Sequence, residues 1–152
     1  MVSVKIVSKN NKNEMFDIFN DYMHELSEFD KTIRFDSYNN VIYQWFDAYF
    51  EEKERYPFYY MINDNIVGMA MVREMENMSY EIAEFYVKPE YRGNGVAMNF
   101  ADAVVNMFIG RIYISTLYDN ARAIRFWDKV AANYNNVEET GVEDKKHWVI
   151  VK

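Results

Sequence analysis

The chain has no cysteine, only two prolines and only five glycines in 152 residues. The first absence excludes disulfides and thiolate metal sites. With so little proline and glycine there is no linker, and no repeat or low-complexity tract is found, so one domain over 1–152 is expected. No apolar run approaches the ~20 residues that a membrane-crossing helix needs. The opening MVSVKIVSKN alternates apolar and polar residues and lacks a signal-peptide core. A cytoplasmic protein with no membrane partner is the expectation. Bases are the minority charge: a net charge of −7 argues against a nucleic-acid partner held by phosphate contacts.

Apolar residues are plentiful. Half the chain is apolar and 18% is aromatic, enough for a large core. The charge is uneven: Lys88 to Lys129 carries a surplus of two positive charges and the remainder nine net negative ones. Such a surface could present an anion site on one side and favour cations elsewhere, or it could be ordinary solvated charge.

The apolar periodicities predict elements in the order β-α-α-β-β-β-α-β-α-β, with a further strand near Asn135 to Glu139. Val2, Val4 and Ile6 alternate as a strand, and Met15, Phe19, Tyr22, Met23 and Leu26 recur at helical spacing. A second helix is expected from about Asn40 to Glu54, burying Val41, Trp45, Ala48 and Tyr49. PFYYMI and IVGMAMVRE flank Asn63-Asp64-Asn65, a hairpin turn signal, and SYEIAEFYVK follows as a third strand run. Pro89 holds Lys88 extended. Beyond it come a helix ending near Gly110, the strand RIYISTLY, a helix capped by Asn120, and the strand KHWVIVK. This is an α/β order, a mixed sheet covered by helices.

Two of the five glycines, Gly93 and Gly95, stand one residue apart where strand gives way to helix, directly after Arg92. A glycine turn at a helix start presents bare N–H groups and the positive end of the helix dipole, a cradle for a pyrophosphate. It is not a Walker loop, since Val96-Ala97 follows where Lys-Ser/Thr is required, and Met98 replaces the third glycine of a dinucleotide fingerprint.

VKPEYRGNGVA resembles the acetyl-CoA motif of the GNAT acyltransferase superfamily, with Arg92-x-x-Gly95-x-Ala97 at its core. Asn120-x-x-Ala123-x-x-Phe126-Trp127 is similar to the family's N-x-x-A-x-x-F-Y in the next helix. The element order matches over the whole chain, and the specific residues lie between Glu81 and Val130. The resemblance implies a mostly antiparallel sheet of six to seven strands, flanked by about four helices and split between the fourth and fifth strands. Acetyl-CoA would be the co-substrate. The main chain of Phe85, Tyr86 and Val87 would pair with its pantetheine arm, and the amides of Arg92, Gly93, Asn94, Gly95, Val96 and Ala97 would hold its pyrophosphate. Ala123 and Phe126 would line the same site. Asn120 would contact the arm or simply cap its helix. Arg122, Arg125 and Lys129 share a helix face that would meet the ribose phosphate or water.

The chemistry implied is direct acetyl transfer to an amine, with a backbone N–H near Tyr86 stabilising the oxyanion. Glu84 is the candidate base or substrate anchor, with Glu81 the second choice; strand alternation puts Glu84 on one face with Ile82 and Tyr86. One position departs from the family: Trp127 stands where a tyrosine usually reprotonates the thiolate, and indole is no practical acid. Tyr118 is the candidate replacement, with Tyr86 and Tyr134 as alternatives. Neither His24 nor His147 has ligand-spaced company, so no metal site is expected.

The expected function is an N-acetyltransferase. Glu25, Glu28, Asp30, Asp36, Glu51, Glu52 and Glu54 suggest a cationic acceptor, a small molecule or a peptide or protein amine. A non-catalytic acyl-CoA-binding module is the competing reading, resting on Trp127; a nucleotide-binding domain is disfavoured by Met98. The aromatic-rich composition leaves room for a homodimer.

Overall fold

A computed structural model describes residues 1–152. Seven strands form one sheet: β1 (Val2–Ile6), β2 (Arg55–Ile62), β3 (Asn65–Met75), β4 (Ser79–Val87), β5 (Arg111–Leu117), β6 (Val137–Val142) and β7 (Lys145–Val151). Their spatial order is β1-β2-β3-β4-β5-β7-β6. Every neighbouring pair is antiparallel except β4 and β5. The helices are α1 (Lys12–Leu26), a single turn α2 (Ala48–Glu51), α3 (Val96–Val105) and α4 (Ala121–Ala131). The expected mixed sheet, strand count and helix order are all present.

Alternation along the strands divides the core between two faces. On one face Phe58, Tyr60, Ala70, Val72 and Ile82 pack against Phe100, Val104 and Val105 of α3 and Trp127 and Val130 of α4. On the other, Tyr59, Met69, Met71 and Tyr86 meet Met15, Ile18, Phe19 and Met23 of α1. The turn between β2 and β3 has Asn63 and Asp64 at φ 49° and 70°, the paired left-handed geometry that a tight hairpin requires.

The second helix is the main departure. Only Ala48–Glu51 is helical; Phe35 and Val41 form an isolated bridge, and Ile42 N–H donates to Arg34 O at 2.9 Å. The Asn20 side chain on α1 accepts from Val41 N–H at 2.7 Å and so removes a donor that a helix would use. Asp36 Oδ1 accepts from the N–H groups of Tyr38 and Asn40, closing a turn in which Asn39 has φ 62°. Phe46 then reaches Phe16 and Phe19 at ring separations of 5.2 and 5.1 Å. Tertiary contacts override the helical spacing here.

Candidate active site

The parallel pair holds β4 and β5 together only at Ser79–Glu81 opposite Arg111–Tyr113. Beyond those residues β4 continues to Val87 and β5 to Leu117 with no pairing between them, which opens the expected split. A bulge prepares it: β3 residues Met71 and Val72 oppose Glu84 and Ile82, leaving Ala83 as the extra residue. The bulge also corrects the expected face. Ile82 packs with Phe85 and Val87 against α3 and α4, whereas Glu84 and Tyr86 turn towards α1.

Lys88 N–H donates to Val67 O on the β3 side. Alternation in an antiparallel ladder then directs the main chains of Tyr86 and Glu84 to β3, and those of Phe85 and Val87 into the cleft. Val87 O bears this out, accepting from Arg92 Nε at 2.9 Å. The free edge is therefore the main chain of Phe85 and the N–H of Val87, and Tyr86 does not offer its main chain.

At the end of β4 the chain passes a short turn, Pro89–Tyr91, and enters Gly93, Asn94 and Gly95, whose φ values are 97°, 53° and 76°. Three successive left-handed residues favour glycine, with asparagine the next best tolerated. They turn the amides outward ahead of α3, which has no side-chain cap. Arg92 and Val96 N–H groups are spent on Pro89 O and Gly93 O, both at 3.2 Å, which corrects their expected role. The N–H groups of Gly93, Asn94, Gly95, Ala97 and Met98 donate to no group in the chain. A Cβ at Gly93 or Gly95 would meet nothing within 4 Å, so the loop's outer surface is open. This donor set suits a diphosphate. The Arg92 side chain lies elsewhere, over the Tyr86 ring and on both Glu25 oxygens, where Arg122 also pairs at 3.1 Å.

Two cavities adjoin the split. One, of about 330 Å³, runs from the loop along Val87, Tyr86 and Phe85 to Ala123 and Phe126 of α4. The other, of about 380 Å³, lies between α1, residues 30–43, β4 and β5, and is lined by apolar side chains such as Met23, Ile33 and Val41 together with polar ones, among them Asp30, Thr32, Ser115, Thr116 and Lys145. Glu84 is in its wall. Tyr22 Oη donates to Glu84 Oε1 at 2.7 Å, and Tyr43 Oη donates to Oε2 at 3.0 Å. Burial raises the Glu84 pKa from its ordinary 4.5 to about 7, against the opposing pull of these two hydrogen bonds. Tyr22 and Tyr43 are themselves pushed up, first by burial and then by the Glu84 charge.

Neither tyrosine was visible as a site residue in the sequence. Tyr22 falls at a helix-packing position, and Tyr43 lies in the stretch whose spacing predicts a helix. The acidic cluster does not assemble either. Of its members only Asp30 lines the larger cavity; Glu25 is bound to Arg92, Glu52 to Arg55 at 3.1 Å, and Asp36 closes its turn. Glu81 pairs with Arg73 at 3.2 Å.

Asn120 Oδ1 accepts from Ala123 N–H at 3.2 Å and caps α4, while the residue also lines both cavities, so its two expected roles are compatible. Phe126 and Trp127 pack on Phe85 at ring separations of 5.6 and 5.2 Å. Tyr118 is not brought to the site: its hydroxyl packs against Gly141 of β6, and it lines neither cavity. Tyr134, just beyond α4, donates to Asp102 of α3 at 3.0 Å.

The fold has close likenesses among solved structures. The ribosomal-protein-S18-alanine N-acetyltransferase of Escherichia coli superposes with a TM-score of 0.70 at 11% identity, over 99% of this chain and 93% of that one. The aminoglycoside acetyltransferase AAC(6')-Ib, solved with coenzyme A, gives 0.72 at 16% identity over 100% and 95%. The spermidine N-acetyltransferase of Vibrio cholerae, a dodecamer, gives 0.66 at 14% over 99% and 93%. No curated protein matches the sequence. The profile described as the acetyltransferase (GNAT) family matches residues 13–132, a span that holds the glycine loop, the bulged strand with Glu84 and the Asn120 helix, and the chain belongs to that family.

Proposed function

We propose that the protein is an acetyl-CoA-dependent N-acetyltransferase whose acceptor is a primary amine. The observation that carries this reading is Glu84, a half-buried carboxyl held through both oxygens by Tyr22 and Tyr43 in the wall of a cavity that adjoins the glycine-loop cleft. Acetyl-CoA supplies the acyl group as an activated thioester. The free amides of Gly93, Asn94, Gly95 and Ala97 would hold its diphosphate, and the cleft-facing edge of Phe85 and Val87 its pantetheine arm.

An alkylammonium ionises near ~10.4 and an ordinary glutamate near ~4.3, so proton transfer between them is uphill by about 8 kcal/mol. With Glu84 at about 7 the gap falls to about 5 kcal/mol. Glu84 therefore serves as base for the incoming amine, and the cleft-facing Phe85 N–H would be a donor for a developing oxyanion. The lining mixes apolar side chains with Asp30, Thr32, Ser115 and Thr116, which suits an amine that carries both apolar and hydrogen-bonding parts.

The absence of cysteine makes the test direct, since a thiol reagent reports only released coenzyme A. Acetyl-CoA is supplied with phenethylamine, hexylamine, spermidine or an alanyl peptide. Turnover is expected on at least one of these amines, with Glu84→Gln slower by roughly 100-fold. Tight acetyl-CoA binding without turnover on any amine would instead establish the acyl-CoA-binding module that Trp127 supports.

A further inference from the structure

Six side chains line both cavities: Tyr22, Leu26, Phe85, Asn120, Ala123 and Trp127. A thioester whose acyl carbon faces the amine must lie at this shared wall, with its sulfur on the cofactor side. Among the six, Tyr22 alone carries a proton that can be transferred. Tyr43 and Glu84 line only the acceptor side, Tyr86 only the cofactor side, and Tyr118 neither.

We infer that Tyr22 is the catalytic acid that family members with tyrosine in place of Trp127 draw from α4, and that it acts as one member of a relay with Glu84. The inference rests on the transferase reading. Glu84 Oε1 takes one proton from the incoming ammonium, the freed nitrogen bonds to the thioester carbonyl carbon, and the second proton that this nitrogen loses as the amide forms leaves to solvent. The carbon–sulfur bond breaks and its electron pair stays on sulfur. The proton on Oε1 passes across the 2.7 Å contact to Tyr22 Oη as the phenol's own proton moves to the sulfur. The products are an amide and a thiol, and both side chains return to their starting states. Nothing enters from outside.

The relay also fits the acidities. A thiol near ~8.5 takes a proton from a carboxyl near 7 with an equilibrium favourable by about 30-fold. Tyr22 is held neutral, since burial and the Glu84 charge push its phenol well above its ordinary value. It therefore passes a proton by accepting one in the same motion, and never stands as a free phenolate. Trp127 is left to pack on Phe85.

Tyr22→Phe keeps the ring contacts to Phe19 and Tyr86, at 6.1 and 5.4 Å, and so tests the hydroxyl alone. Two donors are compared with the fastest of those amines as acceptor: acetyl-CoA and its selenoester analogue, whose selenol departs as an anion without a proton. Tyr22→Phe is expected to slow the thioester by roughly 100-fold and the selenoester by less than about threefold. An equal loss with both donors would make Tyr22 only a support for Glu84, and no loss would remove it altogether; either overturns the relay. No turnover by the wild type with either donor would remove the transferase reading as well, an outcome distinct from both.

A second readout needs no acceptor. With coenzyme A bound to Glu84→Gln, the thiolate's ultraviolet absorbance reports the ionisation of the only thiol present. Adding Tyr22→Phe is expected to raise that thiol's pKa by about one unit. An unchanged value would show that Tyr22 does not reach the sulfur.

Discussion

Glu25, in the last turn of α1, grips Arg92 beside the glycine loop with both carboxylate oxygens, at 2.9 and 2.8 Å. The two residues are 67 positions apart, and Arg122 of α4 shares the same carboxylate. One acid thus ties together the helix that carries Tyr22, the diphosphate loop and the second motif helix. The clamp holds Arg92 and Arg122 on a carboxylate at the edge of a site that suits a multiply charged anion.

Glu25→Gln should therefore strengthen coenzyme A binding. The pairs are partly exposed and each contributes less than about 1 kcal/mol, so the gain in affinity is expected to be at most about tenfold. Binding should also become more salt-dependent as the freed guanidinium groups turn to phosphate. Calorimetry at two salt concentrations measures both. A weaker complex would mean that the clamp builds the loop and does not compete with the ligand.

Gly95 sets the direction of the loop amides. At φ 76° any side chain is strained even though a Cβ would meet no neighbour, so the penalty is conformational. Gly95→Val is expected to lower stability by about 1–3 kcal/mol while the circular dichroism of the fold is retained. Coenzyme A affinity should fall by more than about tenfold, because relaxing the strain redirects the amides of Asn94, Gly95 and Ala97. Unchanged affinity by calorimetry would remove the loop from the site.

Glu84 links the chemistry to stability. Between pH 4.5 and about 7 the folded protein keeps a carboxyl proton that the unfolded chain has released. The stability this contributes is fully present below the unfolded value and is lost as pH rises through the folded one. The whole loss is roughly 3 kcal/mol. Glu84→Gln should match the wild type near about pH 4 and exceed it by up to about 3 kcal/mol above about pH 8, as followed by urea denaturation. A difference that does not vary with pH would show a solvated carboxyl.

What was readable in the sequence is local. The change from strand to helix at Gly93 and Gly95, the Asn120 cap and the Asn63–Asp64 turn each depend on neighbours within a few positions, and all three are found as expected. What was not readable depends on distant partners. The Asn20 amide that stops a helix at Val41 comes from 21 residues away, and the tyrosines that hold Glu84 come from 62 and 41 residues away. A lone glutamate in an alternating strand gives no sign of burial until α1 and the 41–43 segment fold over it. The acidic cluster is taken apart in part for the same reason, since Glu25 faces an arginine 67 residues away that sequence spacing could not assign to it.

The extra residue at Ala83 decides which way the strand's odd and even positions point. Regular pairing through this point, with all residues kept, would exchange the two sides: Glu84 would be pressed into hydrocarbon beneath the sheet, and Phe85 would block the amine's compartment. Excising Ala83 has a different effect. Every later side chain keeps its side, but the strand loses its local bend, and the fourth and fifth strands are freed to close along their length. The bulge thus reconciles the base's side with the opening that admits its substrates, and shortening the chain there would preserve the first while sealing the second.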